Sequence, residues 1–186
     1  MTSTDTALLV MDFQSAIVAR LGAPEVVAAA AAAIQTARGA GIPVIFVRVG
    51  FRSGYPEVSP RNKSFSASAA MGDTLHQDGP LTQIVGALQP RPDEPVVIKR
   101  RVSAFTGSDL EVLLRGRGIE ALVLAGISTS GVVLSTLREA ADRDYRLVVL
   151  ADACADGDPE VHRVLTEKVF PRQAEVTTVQ AWSSGL

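Results

Sequence analysis

The chain is short of the residues that disulfides and soft-metal centres require. It holds one cysteine, Cys154, and two histidines, His76 and His162, in 186 residues. A single cysteine closes no internal disulfide and is too few for a thiolate zinc site. Its scarcity fits a reducing compartment, so the cytoplasm is the expected location. A basic surplus is lacking too: the formal net charge is −2, which leaves no electrostatic footprint for nucleic acid. No apolar run approaches the roughly 20 residues that span a bilayer; the Ala-rich Val26–Ile34 is far shorter. The N-terminal stretch MTSTDTALLVMDFQ has no basic region followed by an apolar core, so no leader is expected there. Repeats, linkers and composition shifts are missing as well, and one domain over residues 1–186 is expected. Lys99, Arg100 and Arg101 form the one basic cluster. Successive strand residues point to opposite sides, so it reads as surface or site use rather than as a phosphate patch.

What is present is an alternation. Short apolar runs occur at Ala7–Met11, Val44–Val49, Pro95–Lys99, Ala121–Ala125, Leu147–Leu150 and Glu175–Thr178. The middle runs are apolar on both faces, as strands buried between two helical layers are. Between them lie helical patterns at Pro24–Arg38, Asp109–Arg115, Gly131–Asp144 and Asp158–Val169. Pro24 suits a first turn, Ser108-Asp109 offers a cap, and Asp158-Pro159-Glu160 opens the last pattern in the same style. Strand–helix alternation implies right-handed crossovers and a parallel sheet. The expected fold is a three-layer α/β/α sandwich around a six-stranded, mainly parallel, Rossmann-like sheet in order 3-2-1-4-5-6. Residues 50–80 are rich in Gly, Ser and Pro and have no sustained period. They read either as a loose excursion or as a lid over a site or an arm to a neighbouring subunit.

Ligands of open parallel sheets bind beyond the carboxyl ends of the strands. The residues there include Asp12, Phe13 and Gln14 after the first run, Arg48 and Arg52 around the second, Lys99 at the third, and Gly126–Val132 after the fourth. Asp12 follows an apolar stretch. Desolvation raises a carboxyl pKa and suits it to proton transfer; the same aspartate could instead cap the following turn. Lys99 could be its buried partner or could snorkel to solvent. The glycine turn that opens the next helix presents N–H groups suited to an oxyanion.

Three segments in order, VMDFQ around Asp12, VIKRRVSAF around Lys99, and LAGISTSGVVLSTLREAADRDY, resemble the isochorismatase-like hydrolase superfamily. That group includes nicotinamidases, carbamoyl-amide amidohydrolases and isochorismatases. The resemblance covers essentially the whole chain, including LADACADGDPEVH. Its third motif is roughly G-x-x-T-x-x-C-V-x-x-T-x-R. Gly126, Thr129, Val133, Thr136 and Arg138 match it, and Val132 stands where the motif has its nucleophilic cysteine. The resemblance implies that Asp12 transfers protons, that Lys99 is its charged partner, and that the peptide before Ser128 is cis. Ile127, Ser128, Thr129 and Gly131 would then contact substrate, together with Phe13 and Gln14. Nicotinamidase-type relatives carry an Asp-x-His and further histidines after the second strand. Here RVGFRSGYPEVSP has none, so no metal and no cofactor is expected.

Val132 cannot attack a carbonyl, so the thioester route is closed. Ser128, Thr129 and Ser130 read as caps, His76 and His162 as exposed, and Cys154 as packing. The leading reading is a hydrolase acting on a small molecule, at an enol-ether or C–N bond, by Asp12 acid/base catalysis. Isochorismatases, which protonate and hydrolyse a vinyl ether, set the precedent, and Arg48 or Arg52 would hold a substrate carboxylate. The alternatives are a small-molecule binding protein that lost the chemistry, and a non-hydrolytic acid/base enzyme of biosynthesis. No nucleic acid and no membrane is expected as a partner, and a homo-oligomer, dimer or tetramer, is.

Overall fold

The computed structural model describes residues 5–186; the first four, which begin the stretch read above as leaderless, lie outside the described residues. In chain order come β1 (Thr6–Met11), α1 (Ser15–Leu21), α2 (Pro24–Gly39), β2 (Val44–Val49), α3 (Lys63–Ala70), β3 (Val96–Lys99) and α4 (Leu110–Gly116). Then follow β4 (Ala121–Ile127), α5 (Leu134–Ala141), β5 (Arg146–Ala155), α6 (Pro159–Val164), β6 (Glu175–Thr177) and α7 (Val179–Ser184). The six strands form one sheet in order β3-β2-β1-β4-β5-β6, with every neighbouring pair parallel. This is the expected α/β/α architecture.

Strand alternation sorts the core into two layers. Leu9, Met11, Val47, Leu122 and Leu124 face the side where Leu110, Leu114 and Leu137 of α4 and α5 pack. Leu8, Val10, Phe46, Val123 and Ala125 face Ala30, Ala33, Ile34 and Ala37 of α2 and Trp182 of α7. Burial of each large side chain contributes roughly 1.5–3 kcal/mol, and β1 and β4 gain it on both faces. The alanine stripe of α2 lets that helix lie close to the sheet.

Several elements differ from the sequence expectation. α1 follows β1 almost at once, and α7 closes the chain; neither has the length of a confident helical period. α3 lies inside the stretch expected to be aperiodic, where Asn62 Oδ1 accepts from Phe65 N at 3.1 Å and so supplies the N-cap. The expected helix from Gly131 begins instead with a wide π-type turn over Thr129–Val133, which α5 continues. β5 runs past the expected Leu150, because the ladder jumps from Leu124↔Val149 to Gly126↔Cys154. That bulge turns Asp152 so that it accepts from Val179 N at 2.9 Å, at the start of α7.

One glycine sets the junction between strand and site. A Cβ at Gly126 would stand 3.0 Å from Val133 Cγ2 and 3.1 Å from the Met11 carbonyl oxygen. The end of β4 therefore approaches the end of β1 more closely than a side chain permits. Among the described residues no helix is long and apolar enough to cross a membrane.

Candidate active site

β1 and β4 are neighbours in the sheet although not in the chain, and the crevice at their carboxyl ends is where such folds bind ligands. Asp12 is the first residue beyond β1. Its φ of 61° is left-handed, a conformation aspartate tolerates better than most side chains, and its N–H donates to Val47 O at 2.8 Å. Lys99 ends β3 in register with Val49, so both present the same face to the crevice. Asp12 Oδ2 and Lys99 Nζ meet at 3.0 Å, with side chains only 8% and 3% exposed. Lys99 Nζ also donates to Arg101 O at 3.1 Å and Val102 O at 3.0 Å. Its three protons are thereby all used.

The other carboxylate oxygen is different. Asp12 Oδ1 is buried and has no hydrogen-bond partner among the described residues. Burial pushes the Asp12 carboxyl above the usual aspartate range, outweighing the opposing pull of Lys99. The site thus combines an anchored oxygen with an unengaged one that keeps a proton more readily than an ordinary aspartate does.

Beyond β4 the Ile127–Ser128 peptide is cis. A Cβ on Gly131 would lie 2.6 Å from Ser128 Oγ, so the glycine leaves the space in which that hydroxyl sits. Ser130 N donates to Asp156 Oδ2 at 2.7 Å. Thr129 Oγ1 and His162 Nδ1 are 2.8 Å apart, which corrects the expectation of an exposed His162. α6 brings this half-buried ring against the turn, and burial lowers its pKa. Thr129 itself is completely buried, so the hydroxyl with a histidine partner has no access to ligand. The Cys154 thiol is buried and pushed up to about 12, the opposite of an activated nucleophile.

A cavity of about 170 Å³ joins these parts; it is lined by Asp12, Ile17, Arg20, Val49, Ser64, Phe65, Lys99, Val102, Ile127, Ser128, Gly131 and Val132. A neighbouring cavity of about 330 Å³ shares Ile17, Arg20, Ile127 and Ser128 and extends to Asp156 and Gly157. Of the residues expected at the site, Asp12, Lys99, Ile127, Ser128, Gly131 and Val132 therefore converge, with Thr129 directly beneath.

Phe13, Gln14, Arg48 and Arg52 lie elsewhere. Phe13 packs in the core layer beneath α2. Gln14 Nε2 donates to Val49 O at 2.8 Å and Thr82 O at 3.0 Å, while its Oε1 accepts from Val49 N at 2.8 Å. Arg48 reaches Gln77 O at 2.5 Å and Thr82 Oγ1 at 3.4 Å. Alternation is the reason: if Val49 faces the cavity, Arg48 must point to the opposite side of β2. Arg52 pairs with Glu57 at 2.5 Å and lines a different cavity, beside Arg100 and Arg101. The sequence reading missed Ile17 and Arg20 on α1, Ser64 and Phe65 on α3, and Val102. Residues 50–80 thus contribute a wall of the cavity through α3. Among the described residues no three His, Cys, Asp or Glu side chains gather as a metal-ligand group.

Comparison with known proteins bears on the family and the fold. The Isochorismatase domain family matches residues 6–181. The uncharacterised isochorismatase family protein YecD of Escherichia coli O157:H7 is 36% identical over 179 residues, covering 94% of this chain and 93% of that protein. The ureidoacrylate amidohydrolase RutB of Stutzerimonas stutzeri is 36% identical over 182 residues, covering 86% of this chain and 73% of the relative. A solved isochorismatase family protein from Burkholderia thailandensis superposes with a TM-score of 0.85 at 30% identity, covering 100% of this chain and 97% of that one. A family match over nearly the whole chain, on a sheet of this order, places the protein in the isochorismatase family.

Proposed function

We propose that the chain is a single-domain hydrolase of small molecules that works by Asp12 acid/base catalysis, without a cysteine nucleophile, metal or cofactor. The observation that carries this reading is that Asp12 lines the cavity with one buried oxygen unpartnered and the other held by Lys99. At an enol ether Oδ1 delivers its proton to the vinylic carbon, leaving an oxocarbenium ion that water converts to a hemiketal and so to ketone and alcohol; at a C–N bond it delivers the proton to the leaving nitrogen. In either case the carboxylate recovers a proton from the attacking water. RutB, an amidohydrolase by name, supports the C–N alternative. Val132, at the motif's cysteine position, serves as pocket wall. A binding protein that lost the chemistry is the second reading, and the same Val132 favours it.

Thiol chemistry tests the cysteine-free mechanism. Iodoacetamide treatment and Cys154→Ser should each leave turnover nearly unchanged, with substrate found by incubating a panel of small amides and vinyl ethers and reading products by mass spectrometry. Loss of turnover in Cys154→Ser would install a displaced thiol nucleophile instead. Tight binding of a panel member without turnover would favour the binding protein. Val132→Cys places a thiol in the first helical turn, where thiolates are stabilised. It should alkylate below about pH 8 while native Cys154 stays unmodified.

We also propose that the protein works as a homo-oligomer, dimer or tetramer. Light scattering at micromolar concentration should exceed the 19.6 kDa of one chain; a single species of that mass would refute it.

A further inference from the structure

We infer that Arg20 is the substrate's anion anchor, and hence that the molecule bound beside Asp12 carries a carboxylate or a comparable single anionic group. This deepens the proposed function and rests on the cavity at Asp12 being the site. Two cations line that cavity, Lys99 and Arg20. Lys99 has no proton to spare, since Asp12, Arg101 and Val102 take all three. Arg20, on the last turn of α1, lines both the 170 Å³ cavity and its 330 Å³ neighbour. Its exposed side chain has no hydrogen bond or ion pair among the described residues. Its guanidinium therefore offers a full set of donors, in the fork geometry that suits a carboxylate.

The surrounding charges favour the same assignment. The Asp12 carboxylate is paired by Lys99. Asp156, the acid of the neighbouring cavity, accepts from Ser130 N at 2.7 Å and Asp158 N at 3.4 Å. It forms no ion pair with Arg20. Asp12 and Arg20 line the same 170 Å³ cavity, and Ile127 and Ser128 border both it and its neighbour. A substrate laid across that cavity presents its scissile bond to Asp12 and its anionic end to Arg20. The two arginines expected for that task cannot perform it, because Arg48 and Arg52 are engaged away from this cavity.

The test compares two probes that differ in one charge: N-carbamoylglycine and its neutral N-methylamide. Each is titrated into the isotopically labelled chain, with the Ser128 and Val132 amide resonances read by NMR. The Asp12→Asn background is used if either probe turns over. The carboxylate should bind about 10–100-fold more tightly than the amide, the range expected for hydrogen bonds to a charged group. Arg20→Met should erase the preference, and Arg20→Lys should keep part of it. Equal binding of both probes, shifts absent from Ser128 and Val132, or a preference that survives Arg20→Met would each overturn the assignment. Turnover is not the readout. A chain that binds the carboxylate through Arg20 but hydrolyses nothing defeats the Asp12 mechanism alone.

Discussion

Asp12→Asn should lower turnover by about 10²–10⁴-fold, the usual contribution of a positioned acid or base, while the protein stays folded. The amide keeps the shape of the carboxyl, and its oxygen can still accept from Lys99. What it lacks is the transferable proton on the oxygen that has no partner. Turnover should also depend on pH in a defined direction. Burial raises the Asp12 pKa, so the acid form persists to higher pH than in a free aspartate and activity falls as pH climbs through the raised value. Stability follows the same sign: the folded state holds this proton more tightly than the unfolded one. The contribution is complete below the unfolded pKa and is lost as pH rises through the folded pKa. Circular dichroism with steady-state rates across pH checks both parts; an Asp12→Asn protein of full activity would end the acid-catalysis reading.

Lys99→Met should lower stability by up to about 3–5 kcal/mol at pH values above the raised Asp12 pKa, where it leaves the Asp12 carboxylate buried without its counter-charge. The double substitution Asp12→Asn with Lys99→Met should recover much of that loss, since no uncompensated charge then remains inside. Urea midpoints of the two variants decide the matter. A single variant as stable as the double would mean that the pair is solvated or that its members are independent. The contrast separates stability from function: the double variant should be well folded and inactive. A buried pair that adds little net stability but stands at the ligand crevice is what a catalytic role would require.

The sheet was legible in the sequence because each buried strand is a short apolar run, and because alternating strands and helices force parallel crossovers. The Asp12–Lys99 pair was legible for a related reason: both residues end apolar runs, and the sheet brings such ends together. Less visible was what depends on side-chain direction. Arg48 and Arg52 were placed at the site by proximity in the chain, although the alternation that buries Val49 turns Arg48 away. Arg20 sits on a seven-residue helix, too short to show a period, and an exposed arginine there reads as ordinary surface. The contact of Thr129 with His162 spans 33 residues. It exists because β5 is long enough to bring α6 beside the turn, and the apolar run at Leu147–Leu150 gave no sign of that length.

Gln14 carries a constraint of a less visible kind. Its amide gives an acceptor to Val49 N and a donor to Val49 O, the same pair that a residue of an adjoining strand would present. The side chain thus acts as a surrogate rung, extending the β1–β2 ladder past the last residue of β1. A glutamate would occupy the same volume but has acceptors only, and would set an anion against the Val49 carbonyl. Position 14 is therefore selective for hydrogen-bond polarity rather than for size, and exchanging one nitrogen for one oxygen would undo that rung.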